Sequence, residues 1–173
     1  PGWEGNMSVK WLRRLRVTDR PAMTKDETSK YSDLLPDGSA ELFTFPMGVK
    51  SVITRPSRGV GLRERGVYAV SGLAWSGAGR VRRVEVSADG GASWAEATLE
   101  PAAAPKALQR FRIAWRWDGG PAVLLSRATD ETGAVQPTRD AILEARGRNA
   151  FYHFNGIQAW RVDADGSVVN HYA

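Results

Sequence analysis

The amino-acid sequence predicts an all-β fold, an immunoglobulin-like (E-set) antiparallel β-sandwich, and three observations predict it. Phe111, Ile113, Trp115 and Trp117 alternate with Arg110, Arg112 and Arg116, the period of two that sends one row of side chains to a core and the next to water. Short strand-like runs recur about every ten residues between clusters of Gly, Pro, Asp and Ser, the spacing of a sandwich. The 173 residues include 18 Gly, 9 Pro and seven Trp, with 42% hydrophobic residues, a mixture of turn formers and bulky strand formers.

The regular pattern begins at Val49. Val49 to Thr54 reads as a strand closed by Arg55-Pro56-Ser57-Arg58-Gly59. From Gly66 to Leu99 the sequence reads as three antiparallel strands in succession. Val67 to Trp75 is apolar at both parities, as in a strand covered on both sides, and ends at the turn Ser76-Gly77-Ala78-Gly79. Arg80 to Ser87 alternates, with Val81 out of phase with Val84 and Val86, which places a bulge near Arg82. Asp89-Gly90-Gly91 supplies residues that tolerate positive φ, and the chain returns from Ser93 to Leu99. The alternating strand from Arg110 to Trp117 turns at Asp118-Gly119-Gly120-Pro121 into Ala122 to Ala128, and last strands are expected around Phe151 to Phe154 and Ile157 to Val162.

The region before Val49 is less regular. Ser8 to Val17 has the look of a strand that belongs to something upstream. Thr24-Lys25-Asp26-Glu27 has the form of a capping box and predicts a short helical turn to about Lys30. Leu34-Leu35-Pro36-Asp37-Gly38 predicts a turn, and 18–48 as a whole reads as a long connection between two domains. Proline cannot be an initiator, so the opening Pro1-Gly2-Trp3-Glu4-Gly5 is read as the interior of a longer protein.

Composition excludes several kinds of chemistry. The chain has no cysteine, hence no disulfide, thiolate ligand or cysteine nucleophile. His153 and His171 lack partners at metal-ligand spacing, so no metal site is expected, and His153 is read as packed beside Tyr152. No Gly-x-Ser-x-Gly elbow occurs, and Gly59-Val60-Gly61 and Gly77-Ala78-Gly79 are better explained as turns than as phosphate loops. The net charge of +5 comes mostly from arginines dispersed on strands, without a basic block or recognition helix, so no nucleic-acid partner is expected. No apolar run reaches membrane-span length, and no membrane partner is expected. Two groups could meet an anion, Arg146 in the dense turn Arg146-Gly147-Arg148-Asn149 and the Ser8/Lys10 pair, although on residue type alone a surface loop with solvated charges and a common pair of polar residues account better for them.

The motifs in their order resemble the C-terminal part of the sulfite oxidase family of molybdenum enzymes. They are Ser8-Val9-Lys10-Trp11-Leu12, Ser51-Val52-Ile53-Thr54-Arg55-Pro56, Gly72-Leu73-Ala74-Trp75-Ser76-Gly77-Ala78-Gly79 and Val84-Glu85-Val86-Ser87-Ala88-Asp89-Gly90-Gly91. Trp115-x-Trp117, Ala128-x-Asp130, Val135-Gln136-Pro137 and Ala159-Trp160-Arg161-Val162 continue the series. Gly2-Trp3-Glu4-Gly5-Asn6-Met7, Glu27-Thr28-Ser29-Lys30-Tyr31 and the run from Phe151 to Trp160 are most similar to the sulfane dehydrogenase branch, with a plainer bacterial sulfite dehydrogenase as the nearest competing reading.

The resemblance implies that 1–17 ends a molybdopterin-binding domain, 18–48 is a linker and 49–173 is a dimerisation domain. It assigns Ser8, Val9 and Lys10 to the molybdopterin phosphate and Arg146 to the oxyanion pocket beside molybdenum. Met7 stands where sulfite oxidases commonly carry arginine. The implied whole enzyme is a periplasmic homodimer that oxidises inorganic or carrier-bound sulfur, with a c-type cytochrome subunit and a sulfur-carrier protein as partners. The molybdenum ligand would lie upstream, so this chain alone is expected to hold no molybdopterin and to be inactive. The competing reading is a free-standing immunoglobulin-like protein-binding module, which an exposed apolar stretch at Val9 to Val17 would argue against.

Overall fold

The computed structural model describes every residue except Phe43, Ala150, Phe151 and Ala173, and of Glu27 the backbone alone. From the N-terminus, helix α1 (Lys25–Ser29) leads into a hairpin of β1 (Ser32–Leu34) and β2 (Ala40–Leu42). The connection expected from 18 to 48 therefore carries a small structure of its own. Its turn falls where Pro36-Asp37-Gly38 placed it, with the Leu35 amide bonded to the Ser39 carbonyl at 2.9 Å. Ser8 to Val17 forms no strand. It runs over the surface with Trp11 88% and Val17 95% exposed.

The sandwich follows. β3 (Lys50–Arg55), β4 (Gly66–Trp75), β5 (Val81–Ser87), β6 (Ala95–Glu96), β7 (Thr98–Leu99), β8 (Gln109–Trp117) and β9 (Ala122–Asp130) precede helix α2 (Arg139–Arg146), and β10 (Ala159–Val162) and β11 (Val168–His171) close the chain. One sheet has the order β3-β4-β8-β7, the other β11-β10-β9-β5-β6. Between them lie Val70, Val84, Phe111, Leu124, Ala128 and Val162, all buried. Along β8 the alternation is as the sequence predicts: Phe111 and Trp117 are buried while Arg110, Arg112 and Arg116 face water.

The three strands from Gly66 to Leu99 exist, but they do not form a meander. β4 pairs with β8 and β5 with β9, so Ser76-Gly77-Ala78-Gly79 crosses from one layer to the other. Two contacts fix that crossing. The Ser76 hydroxyl donates to Asp130 at the end of β9 at 2.7 Å. Gly77 is packed so tightly that a Cβ there would lie 2.4 Å from the Gly2 carbonyl oxygen. The expected bulge is present as a register shift between Val81 and Arg83. The third strand divides: β6 adds to β5, β7 adds to β8, and buried Ala97 between them donates its amide to the Val84 carbonyl at 2.8 Å.

The opposite flank is joined by polar side chains from the family-like motifs. Gln136 Oε1 accepts from the Ser51 amide at 2.9 Å, the Ser51 hydroxyl at 2.7 Å and the Ala128 amide at 3.2 Å, which ties β3 to β9. Trp160 Nε1 donates to the Ile53 carbonyl at 3.0 Å, which ties β10 to β3. Ser51 and Gln136, both buried, thus satisfy each other across the layers, as polar groups in an apolar interior require.

The C-terminal region departs from the sequence reading. Of the strand expected at Phe151 to Phe154, Phe151 lies outside the described residues, and Tyr152 to Phe154 form a bend and coil. The last strand is instead β11, beyond the turn at Asp163 to Gly166, and it places His171 opposite Ala159 in the sheet. Helix α2 takes in Arg146, the first residue of the turn expected from Arg146 to Asn149. Thr138 caps it by accepting from the Ala141 amide at 3.1 Å, and Gly147 ends it at φ 79°.

Candidate functional site

Arg146 sits in the last turn of α2, where a cation opposes the negative end of the helix. Its guanidinium is fully engaged at one end. Nη1 donates to Asp33 at 3.3 Å and to the His153 carbonyl at 2.9 Å, and Nη2 pairs with Glu41. Asp33 and Glu41 are directly opposite each other in the β1–β2 hairpin, an arrangement of like charges that destabilises a strand pair unless a cation intervenes. Arg146 is that cation. Asp33 is buried and also accepts from the Tyr152 amide at 2.8 Å and the His153 amide at 3.3 Å. One carboxylate thereby gathers the hairpin, the helix end and the loop after the helix.

His153 extends the network toward the N-terminus. Its Nε2 accepts the Gly48 amide at 3.1 Å, so the ring proton is on Nδ1, which faces Glu4 Oε1. Gly48 is required for the approach, since a Cβ would fall 3.0 Å from Nε2 and 2.7 Å from Asn155 Nδ2. Beside this couple is a cleft of about 260 Å³ lined by Glu4, Gly48, Lys50, Trp75, His153 and Asn155. Lys50 enters it half-buried, and its Nζ donates to the Phe154 carbonyl at 2.7 Å. Burial pushes its pKa below the usual lysine value. Glu4 Oε2 is buried on the wall of the same cleft, without a hydrogen-bond partner among the described residues.

Ser8, Val9 and Lys10 are exposed, four to six residues beyond Glu4. The Ser8 hydroxyl and the Lys10 ammonium make no hydrogen bond or ion pair among the described residues. They fit a phosphate by type, a neutral donor and a cation free to turn toward it. Among the described residues no hydrogen bond or ion pair joins them to Arg146, whose network ends at Glu4, four residues before Ser8 in the chain. Sequence reasoning singled out Arg146 but missed Asp33, Glu41 and the Glu4–His153 couple. The partners lie more than a hundred residues from Arg146 and His153 in the chain, and no local pattern marks them. Among the described residues, no group of three or more His, Cys, Asp or Glu side chains could hold a metal ion, and no helix is long and apolar enough to cross a membrane.

Residues 42–159 match the family described as the Mo-co oxidoreductase dimerisation domain. The chain belongs to that family. Human mitochondrial sulfite oxidase is 36% identical over 125 residues, which cover 68% of this chain and 22% of that protein. Chicken sulfite oxidase is 33% identical over 155 residues, covering 79% of this chain and 32% of the relative. Among solved structures, the sulfane dehydrogenase SoxCD from Paracoccus pantotrophus superposes with a TM-score of 0.95 at 55% identity, covering 100% of this chain and 45% of that one. The chain of this Mo-co dimerisation-domain protein thus spans less than half the length of each of these relatives. The sulfite oxidase resemblance read from the motifs, with its sulfane dehydrogenase leaning, is borne out, and so is the mostly antiparallel, immunoglobulin-like sandwich.

Proposed function

We propose that this chain is the C-terminal part of a molybdopterin-dependent sulfur oxidoreductase of the sulfane dehydrogenase type. The observation that carries the reading is the full-length likeness, at 55% identity, to the SoxCD chain. In this reading 1–17 completes the cofactor domain, 18–48 links, and 49–173 pairs two subunits. The whole enzyme works in the periplasm, oxidises inorganic or carrier-bound sulfur, and passes electrons to a c-type cytochrome subunit. The exposed apolar side chains of Val9, Trp11, Leu12, Leu15 and Val17 support it over a free-standing binding module, which has no use for such a stretch.

The residues of this chain bind and position. Ser8 and Lys10, with the backbone at Val9, would hold the phosphate of molybdopterin, whose molybdenum would supply the redox chemistry. Arg146 serves the anionic substrate. Asp33 fixes its guanidinium, and Glu41, 42% exposed, is the carboxylate that a substrate anion replaces at Nη2. Without the rest of the enzyme the chain is inactive.

The test is the mass of the chain in solution, by sedimentation over a concentration range. A dimer at micromolar concentration is expected. A monomer throughout that range would remove the pairing role from 49–173.

A further inference from the structure

The outer faces of the two sheets treat their arginines differently. On the five-stranded sheet Arg127 pairs with Glu85 at 2.9 Å and stacks over Trp94 at 4.2 Å, Arg83 lies 3.5 Å from Glu85, and Arg161 binds Asp163 at 2.9 Å. That face neutralises itself. On the four-stranded sheet Arg110, Arg112 and Arg116 make no ion pair among the described residues.

Register explains why. Directly paired residues share a face, and the neighbours across from these arginines are not acids. Arg112 pairs with Ser71 on β4, which pairs with Arg55 on β3, while Thr98 flanks Arg112 on β7. Arg110 stands in a row with Leu73 and Val52, and Arg116 beside Val67. Arg110 and Arg112 are about 7 Å apart along the strand, and Arg116 about 14 Å further. The one carboxylate lining the shallow cleft between Arg110 and Arg112 is Glu100.

We propose that the outer face of the four-stranded sheet docks an acidic protein surface. A guanidinium is a planar, pre-organised fork that loses less freedom per hydrogen bond than an ammonium does and donates two parallel bonds to a carboxylate. Half-buried Val52 and Leu73 and exposed Val67 lie among them. Arginine is the charged residue that protein interfaces favour. The rows that carry arginine hold no aromatic side chain, and Trp115 and Trp117 point to the opposite face, so the surface lacks the stacking platform of a single-strand nucleic-acid binder. A second copy is disfavoured on this face because two such arginine rows repel. The inference goes beyond the proposed enzymatic role and does not depend on it.

The probe is a fluorescein-labelled octaglutamate peptide, titrated against the full chain by anisotropy at low salt. A single-stranded DNA octamer is titrated in parallel. The variant Arg110→Glu/Arg112→Glu/Arg116→Glu is compared with Arg13→Glu/Arg14→Glu/Arg16→Glu, which changes the net charge equally in the exposed N-terminal stretch. Both triples change exposed side chains. The expected result is a loss of about tenfold or more in peptide affinity for the sheet triple, less than about twofold for the other, and a weakening of wild-type binding with salt. Equal losses in the two triples, no peptide binding by the wild type, or tighter binding of the DNA would each overturn the proposal. Sedimentation of the sheet triple separates this from the pairing role: the mass is expected to stay that of the wild type.

Discussion

The sandwich and the 48 residues before it are held by different forces. Beyond Gly48 the chain buries a continuous apolar core, from Val49 through Val70 and Phe111 to Val168. Before Val49, the buried members among the described residues are Gly2 and Asp33, neither with an apolar side chain. That region is attached through Asp33, Glu41 and Glu4, three carboxylates that meet Arg146 and His153, and through backbone bonds such as the Gly77 amide to the Met47 carbonyl at 2.7 Å. The difference teaches that a core confers global stability, while polar tethers confer position and can open on their own.

The comparison can be broken most severely from the core side. Phe111→Ala is expected to cost about 3–5 kcal/mol in global unfolding, read from the denaturant midpoint, because Phe111 is 1% exposed and packs against Gly72. A cost under about 1 kcal/mol would mean that the two sheets do not share this core. Asp33→Ala removes the acceptor of three hydrogen bonds and leaves Arg146 with Glu41 and the His153 carbonyl. Its effect is capped by the free energy of opening the hairpin locally. Faster proteolysis between Tyr31 and Phe45 is therefore expected with a shift of less than about 1 kcal/mol in global unfolding, a modest change for a single substitution. Loss of the global transition would instead make the tether part of the core.

Acid sharpens the contrast. Burial pushes the Asp130 carboxyl up, but hydrogen bonds from Thr132, Ser76 and the amides of Thr132 and Ala134 outweigh it and hold its pKa below the usual aspartate value. A lowered folded pKa contributes stability that is present above about pH 4 and lost as pH falls through the folded value. Thermal melts of Asp130→Asn are expected to fall off less steeply than wild type below about pH 4. Parallel acid limbs would show that Asp130 is not the responsible group. The smallest effect belongs to Trp11→Ser, at 88% exposure. Global unfolding is expected to move by no more than about 0.5 kcal/mol, measured by the same denaturant titration.

What the sequence disclosed follows the same division. The alternation from Phe111 to Trp117, the bulge near Arg82 and the Asp89-Gly90-Gly91 turn, where Gly90 and Gly91 both have positive φ, are local properties that sequence carries directly. Which sheet a strand joins is decided by partners far along the chain, so the crossing after Trp75 looked like a hairpin turn. β11 was hidden because four residues after a turn show too little alternation to stand out. At the candidate site Arg146 was visible through the anion chemistry of its type. Its fixation was not, since Asp33 is 113 positions away and nothing in Ser32-Asp33-Leu34 announces a buried carboxylate.

The strand that divides at Ala97 couples the fate of the two layers. With Ala95 and Glu96 hydrogen-bonded in one sheet and Thr98 and Leu99 in the other, neither layer can peel away without tearing pairing from both. The flank that carries this strand should therefore melt in a single cooperative step, and any slow breathing of the sandwich should begin at the opposite edge, where side chains alone join β3 to β9 and β10.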